Sequence, residues 1–327
     1  MRRPPLIDRC RLLSGGAWAA VSLMVAACVG RLPGVALSSR VPVPPPVFST
    51  SDTTAMFAPG VISTGDVFAS SFTPDGRTVF FTKATSDRTR MHIQQSTWTG
   101  SSWSTPSRAS FSTGDREMDP HVSPDGKTVY FTAPRRRAAI ATDADGDWDT
   151  WSAKLDGSEP AARITSLANS ADNEMYPSIT NDEALFFGVR SRANPDVPGE
   201  IRYLHRKIRT TPVVVPMGPE VVNPGNPYIT YDGRVLIVSA SGPESRGRSD
   251  LFVLVRRGDG RWSAPRNLGR EVNTTDVEFC PGLSPDGRYL FFSRVRYDEN
   301  NRAAGNDIFV TPVSSVPVLR DALGQKP

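Results

Sequence analysis

The sequence predicts an all-β protein, a β-propeller of five four-stranded blades. A turn of the type Ser/Thr-Pro-Asp-Gly-basic recurs along the 327 residues, and a run of β-branched and aromatic residues follows each copy. The turn aspartates are 50, 57, 50 and 54 residues apart, and they are Asp75, Asp125, Asp182, Asp232 and Asp286. A period near 50 residues is typical of four-stranded units arranged as a propeller.

The N-terminal residues are predicted to be a targeting segment outside the fold. Four arginines lie within residues 1–11, and the apolar run over 17–27 that follows is too short to span a bilayer comfortably. The run ends in Val25-Ala26-Ala27-Cys28, which resembles a bacterial lipobox whose cysteine is acylated. An ordinary cleaved signal peptide and a retained anchor are the alternatives. All three place the folded part outside the cytoplasm.

These features divide the chain into four parts. We expect a signal peptide over 1–27, a proline-rich tether over 28–46, the propeller over 47–323 and a tail over 324–327. With Cys28 as the lipidation site, the protein is expected to be anchored to a bacterial membrane. Val29 after the cysteine favours the outer membrane, facing the periplasm, if the cell has one.

Most of the net positive charge lies in the N-terminal segment, residues 1–27, that is predicted to be removed. The net charge is +4 and the pI about 9.1, but residues 1–27 carry four arginines and one aspartate, which leaves the exported portion near +1. A basic surface for nucleic acid is therefore not expected. Cys280 is the remaining cysteine after Cys10 and Cys28, so the fold has no internal disulfide and a buried, inert thiol is predicted.

Each unit reads as four strands. The first leads into the turn, in which proline presets φ, aspartate bonds the backbone and glycine takes φ > 0. The second is a buried run such as Thr78–Phe81, and the third is clearest in Asp250–Val255, after which Trp262-Ser263 introduces the fourth. The third unit has Thr180-Asn181-Asp182-Glu183 and lacks both proline and glycine, so we expect a reshaped turn there.

The N-terminal strand is predicted to close the ring. The segment Phe57–Asp66 matches the fourth strand Asn267–Asp276 in pattern, whereas the last unit stops after its third strand near Pro312. Supplying the missing strand from the N-terminus leaves no exposed edge. This count gives five blades, and six would require an irregular segment to hide one.

The turns, the Trp-Ser-x-Pro element and the closing Asn306-Asp307-Ile308-Phe309-Val310 resemble those of TolB-like, PD40-repeat (WD40-like) propellers of bacterial envelopes. The resemblance covers about residues 55–323. It implies an extracytoplasmic propeller that serves as a protein-interaction surface. Variable loops such as 190–198 and 294–306 are the natural contact sites.

One acidic position recurs in three units. Glu117, Glu174 and Glu278 each lie eight residues before a turn aspartate, on strands expected to line the channel. Clustered at one mouth, they could bind a cation or act as acid and base on a glycosidic bond. The other interpretation is a structural role in which each accepts backbone N–H groups. His121, four residues before Asp125, is expected near the channel as a structural hydrogen-bonding group.

A second acidic cluster alternates with other residues around Gly146. Asp143, Asp145, Asp147 and Asp149 could bind calcium, although the EF-hand pattern is not met. A solvated loop is the alternative. Calcium is the candidate cofactor, and the sequence requires none.

Known catalytic motifs are absent from the sequence. It has no Gly-x-Ser-x-Gly, His-Glu-x-x-His, Cys-x-x-Cys or phosphate-loop pattern, and its three histidines are scattered. We therefore predict a non-catalytic binding or scaffold propeller at the bacterial cell envelope, whose partner is an envelope protein or a cell-wall polymer. The alternative is a glycan- or lactone-processing enzyme that uses the channel carboxylates with a metal.

Overall fold

The structure is a computed structural model that describes residues 46–114, 116–134, 147–165, 168–205, 207, 211–300 and 302–325. The predicted signal peptide, Cys28 and all but the last residue of the tether lie outside the described residues, so those predictions are not tested. No helix in the described part of the chain has the length and apolar composition needed to cross a membrane.

Twenty strands form five antiparallel four-stranded sheets, which confirms the predicted five-bladed propeller. Blade 1 consists of β2 Val67–Phe72, β3 Thr78–Ala84, β4 Met91–Thr97 and β5 Ser107–Arg108. Blade 2 consists of β6 Met118–Val122, β7 Thr128–Pro134, β8 Trp148–Lys154 and β9 Ala162–Arg163. Blade 3 consists of β10 Asn173–Ile179, β11 Ala184–Arg190, β12 Glu200–His205 and β13 Val213–Val214.

The last two blades follow the same order. Blade 4 consists of β14 Val222–Ile229, β15 Val235–Ser241, β16 Asp250–Val255 and β17 Arg266–Asn267. Blade 5 takes three strands from the C-terminal part and its fourth from the N-terminus, and these are β18 Val277–Leu283, β19 Tyr289–Tyr297, β20 Ala303–Pro312 and β1 Ala55–Met56.

Ring closure by an N-terminal strand is confirmed, but the predicted position of that strand is wrong. Ala55 and Met56 pair with Val310 and Phe309, so the strand ends before the predicted segment Phe57–Asp66 begins. The chain turns at once because the carbonyl of Ala58 accepts hydrogen bonds from the N–H groups of residues 61 and 62. The Phe57 side chain, which is 1% exposed, anchors this turn in the core.

The repeated turns join the first and second strands of each blade. In the first of them the Thr73 hydroxyl donates to Asp75 Oδ1 at 2.6 Å, and Oδ1 also accepts the N–H of Arg77 at 3.0 Å. Glycine takes φ values of 69–73° after the aspartate in four turns. In the third turn Glu183 takes φ 66° instead, and the turn is one residue shorter, closing from Thr180 to Ala184. This is the reshaping that the missing proline and glycine predicted.

The core lies between successive blades. Phe72, Trp103 and Phe291 surround Phe57 with ring centroids 5.0–6.0 Å away, so blade 1, blade 5 and the closing segment share one aromatic cluster. A short helix that the sequence analysis did not predict, α1 Pro317–Ala322, follows the last strand and packs on the core between blades 4 and 5.

Candidate functional site

The three glutamates lie at the opposite end of the blades from the turns, because each stands at the start of the first strand of its blade. All three are at most 1% exposed. Each accepts a hydrogen bond from a residue three or four positions earlier. These donors are the Gly114 N–H for Glu117, the Ser170 hydroxyl for Glu174 and the Thr274 hydroxyl for Glu278. Each carboxylate is thus engaged by the connection that leads into its own strand.

Glu278 also has a cationic partner. Arg294 Nε lies 2.8 Å from its Oε1, and the arginine side chain is 14% exposed. Burial raises the pKa of Glu278, and the hydrogen bonds from Thr274 and the charge of Arg294 oppose that shift. None of the three glutamates lines the channel cavity described below. The structure therefore does not bring them together as a joint site around that cavity.

The second acidic cluster is only partly described. Asp143 and Asp145 lie outside the described residues. Asp147 Oδ1 lies 3.2 Å from Arg192 Nη1, and the buried Asp149 forms an ion pair with Arg163. No group of three or more His, Cys, Asp or Glu side chains within the described ranges is placed to hold a metal ion. The proposed calcium site thus stays a prediction.

A cavity of about 260 Å³ lies in the channel between the first strands of the five blades. It extends from the middle of these strands to the turn end, where residues 230–231, residues 284–287 and Leu323 line it. Among the described residues, its walls carry two carboxylates, Asp119 and Asp286, and no lysine or arginine. Asp286 already accepts hydrogen bonds from the Ser284 hydroxyl and from the Arg288 side chain.

The inner part of the cavity is built by a five-fold repeated bulge. Six residues before each turn aspartate the backbone adopts a left-handed conformation with φ of 47–59°, at Ala69, Asp119, Tyr176, Asn226 and Cys280. Strand pairing shifts register at each of these positions. Non-glycine residues adopt such φ values infrequently, so the occurrence of this conformation at five equivalent positions shows that the bulge is a regular part of the repeat. All five residues line the cavity.

Hydroxyl groups of neighbouring blades hold three of these bulges. The backbone N–H groups of Ala69 and Asp119 donate to Ser293 Oγ at 3.0 Å and to Thr82 Oγ1 at 3.1 Å. The N–H of Tyr176 donates to Thr132 Oγ1 at 3.0 Å. Because each bond joins two consecutive blades, the bulges fix the position of the cavity-lining side chains relative to one another.

Asp119 is the buried carboxyl group of this cavity. The residue is 5% exposed, and its Oδ2 has no hydrogen-bond partner among the described residues. Burial raises the pKa of Asp119 from 3.8 to about 7, against the opposing hydrogen bonds of the Thr132 hydroxyl and the Cys280 thiol. The carboxyl group is therefore divided between its neutral and ionised forms near neutral pH.

His121 presents a neutral ring to the same cavity. Burial lowers the pKa of His121 to about 4, against an opposing hydrogen bond with the backbone of Ile179, so the ring is neutral near pH 7. Its Nε2 has no hydrogen-bond partner among the described residues. In the tautomer that carries the proton on Nδ1, Nε2 is an acceptor.

Apart from Asp286 at the rim, whose pKa is lowered, the remaining titratable groups of the cavity are neutral. Burial raises the pKa of Tyr231 to about 12 and the pKa of Tyr176, Tyr228 and Cys280 above their usual values. The Ser239 hydroxyl donates to Asn226 Oδ1 at 2.6 Å, and Asn226 Nδ2 donates to Cys280 Sγ at 3.3 Å. The buried thiol predicted for Cys280 is present, but it lies in the cavity wall.

The sequence analysis placed His121 near the channel but missed the bulge residues. A signal for them exists, because four of the five are followed by proline, at Pro120, Pro177, Pro227 and Pro281. A proline after a residue of variable type, five positions before the turn aspartate, marks the bulge. Aligning the repeats by charge does not reveal these positions, because the bulge residues share no chemical property.

Comparisons with known proteins identify the fold. No protein-family model matches the chain, and no curated protein matches it. The solved structures that match include TolB from Acinetobacter baumannii, with 14% identity over 76% of this chain and a TM-score of 0.45. The chain spans only 54% of that TolB chain.

Two further structures match the chain with slightly higher TM-scores. An α-L-arabinofuranosidase from Lactobacillus brevis matches at 14% identity over 78% of this chain and 93% of that chain, with a TM-score of 0.50. A GH43_12 protein from a capybara gut metagenome matches at 12% identity over 80% of this chain and 53% of that chain, with a TM-score of 0.51. The shared feature is the fold. Fold alone does not assign function.

Proposed function

We propose that this protein is a non-catalytic binding propeller, lipid-anchored outside the cytoplasm through Cys28, which docks a partner protein at the turn end of its ring. The cavity at that end supports the proposal, since it is concave, aromatic and polar, and holds a buried carboxyl group with an unpartnered oxygen. A cell-wall polymer is the alternative partner.

The arrangement of carboxylates favours binding over the hydrolytic alternative. Acid and base catalysis on a glycosidic bond needs two carboxyl groups that face one space. Of the two that line the cavity, Asp286 is held by the Ser284 hydroxyl and by Arg288, which leaves Asp119 alone with an unpartnered oxygen. Glu117, Glu174 and Glu278, on which that alternative depended, start their strands at the far end of the blades.

Crosslinking in cells with the tagged full-length chain, followed by mass spectrometry of what co-purifies, tests the proposal. Two matched variants place a bulky charge at exposed positions, Pro285→Arg on the cavity rim and Val197→Arg, where the valine is 46% exposed, in a loop at the other end. We expect one reproducible protein partner that the first variant loses and the second retains. The absence of a reproducible protein partner, or loss in the second variant alone, contradicts the proposal.

A further inference from the structure

Two residues of one strand place buried polar atoms in the wall of the channel cavity. Asp119 Oδ2 and His121 Nε2 both belong to β6, both residues line the cavity, and they are 5% and 6% exposed. Neither atom has a partner among the described residues. Buried polar atoms are nearly always hydrogen-bonded, so such atoms in a cavity wall indicate a ligand that brings donors.

The charge of the cavity specifies the ligand further. A carboxylate buried without a cation is costly, and no lysine or arginine is among the described residues that line this cavity with Asp119. A neutral hydroxylated ligand would supply donors but would leave the carboxylate charge uncompensated. A cation with N–H groups supplies both the hydrogen-bond donors and the compensating positive charge.

The other walls suit an organic cation. Tyr176, Tyr228 and Tyr231 line the cavity together with five prolines. Aromatic faces attract ammonium groups, by up to about 2 kcal/mol when the group is desolvated. An alkyl chain can pack on Phe72, Leu283 and the prolines, while its ammonium group reaches the carboxylate.

We infer that the channel cavity is a binding site for a primary alkylammonium group, held by Asp119 and His121 among the three tyrosines. The inference rests on the proposed function in one respect: the group would be the lysyl side chain of the docked protein segment. The ammonium donates to Asp119 Oδ2 and to His121 Nε2, and its charge compensates the carboxylate.

Calorimetric titration of the full-length chain with n-butylammonium chloride tests the inference, at pH 8 and constant ionic strength. 1-Butanol is the neutral analogue and glucose the hydroxylated one. We expect saturable binding of butylammonium alone, weakened at least tenfold in Asp119→Asn and unchanged in Asp125→Asn, a turn variant of the same blade outside the cavity lining. Tryptophan fluorescence and circular dichroism check that both variants are folded.

The acidity of Asp119 gives a second readout. The titratable groups beside it stay neutral between pH 6 and 8, because burial lowers the pKa of His121 and raises the pKa of Cys280 and Tyr176. Asp286 on the cavity rim stays ionised over this range, since the effect of burial is outweighed by its hydrogen bonds with Ser284 and Arg288, which lower its pKa. The Arg88 guanidinium, whose charge acts on Cys280, stays protonated throughout. Since butylammonium is charged over this range and needs the ionised carboxylate, its affinity should be about tenfold higher at pH 8 than at pH 6.

The outcomes separate this inference from the docking proposal. Equal binding of butylammonium and butanol, binding of glucose alone, or unchanged affinity in Asp119→Asn would overturn the ammonium site, even where a protein partner still co-purifies. Saturable, Asp119-dependent binding without any protein partner would keep the ammonium site and refute docking of a protein.

Discussion

Replacing Asp119 with asparagine should stabilise the protein, and by an amount that grows with pH. The carboxyl group is fully buried, and burial raises its pKa from 3.8 to about 7. A folded-state pKa above the unfolded value contributes stability that is fully present below pH 3.8 and is lost as the pH rises through about 7. Asparagine has nearly the same shape, remains neutral and tolerates the φ of 57° found at this position.

The magnitude follows from the two pKa values. Each pKa unit corresponds to about 1.4 kcal/mol, so the advantage of asparagine in the free energy of unfolding should increase by about 2.5 kcal/mol between pH 5 and pH 8. Urea unfolding of wild type and variant at several pH values measures it, because the contributions of all other groups cancel in the difference. The groups facing Asp119, namely His121, Cys280 and Tyr176, are neutral over this range.

Asp125→Asn is the matched control for this experiment. The hydrogen bond from the Ser123 hydroxyl, with help from the Lys127 N–H, lowers the pKa of Asp125. Its contribution is therefore present above its unfolded pKa of 3.8 and is lost as the pH falls below that value. We expect the control to be less stable than the wild type, by a difference that hardly changes from pH 5 to pH 8. A pH-independent difference for Asp119→Asn would refute the description of the buried carboxyl group.

Two sets of substitutions and one labelling experiment test the closing segment, the ion pair and the buried thiol. Phe57→Ala should lower the free energy of unfolding in urea by about 3–5 kcal/mol, because it empties a fully buried aromatic site. The control Val61→Ala, at an exposed position, should change it by no more than about 0.5 kcal/mol. Equal losses in the two variants would contradict closure of the ring by this segment. Arg294→Met should lower the free energy of unfolding by about 3–5 kcal/mol, because it leaves Glu278 buried without its cation. Adding Glu278→Gln to that variant should restore part of the lost stability. A double variant no more stable than Arg294→Met would contradict the ion pair. Cys280 is 7% exposed and burial raises the pKa of its thiol. It should therefore react with a thiol reagent far more slowly in the native protein than in urea, as measured by mass spectrometry of the labelled peptide. Similar rates in the two conditions would contradict the buried position of this thiol.

The architecture was predictable because local signals and global topology agree. Each turn marks the boundary between a first and a second strand, as at Asp75, where threonine and aspartate bond within the turn. The missing fourth strand of the last unit indicated closure by the N-terminus. The position of that strand was misjudged by pattern matching, since the turn at Ala58 depends on Phe57 fitting between Phe72 and Phe291.

The site was less predictable, for physical reasons. Glu117 and Glu278 recur at one repeat position, but their side chains bond to connections of different sequence, which the repeat alignment does not reveal. The bulges are a backbone feature that a hydroxyl of the preceding blade stabilises, as Thr82 does for Asp119. A contact between residues 37 positions apart leaves no local pattern in the sequence. The helix α1 was likewise not predicted, because its position depends on packing against the core.

The central claim is that a partner docks at the turn end of the ring, over the cavity that holds Asp119. Site-specific photocrosslinking in cells tests it most directly, with a benzophenone amino acid placed at Pro285 on the cavity rim or at Val197 at the opposite end of the blades. We predict a defined protein adduct from position 285 that added butylammonium diminishes, and none from position 197. An adduct from position 197 alone would contradict the account.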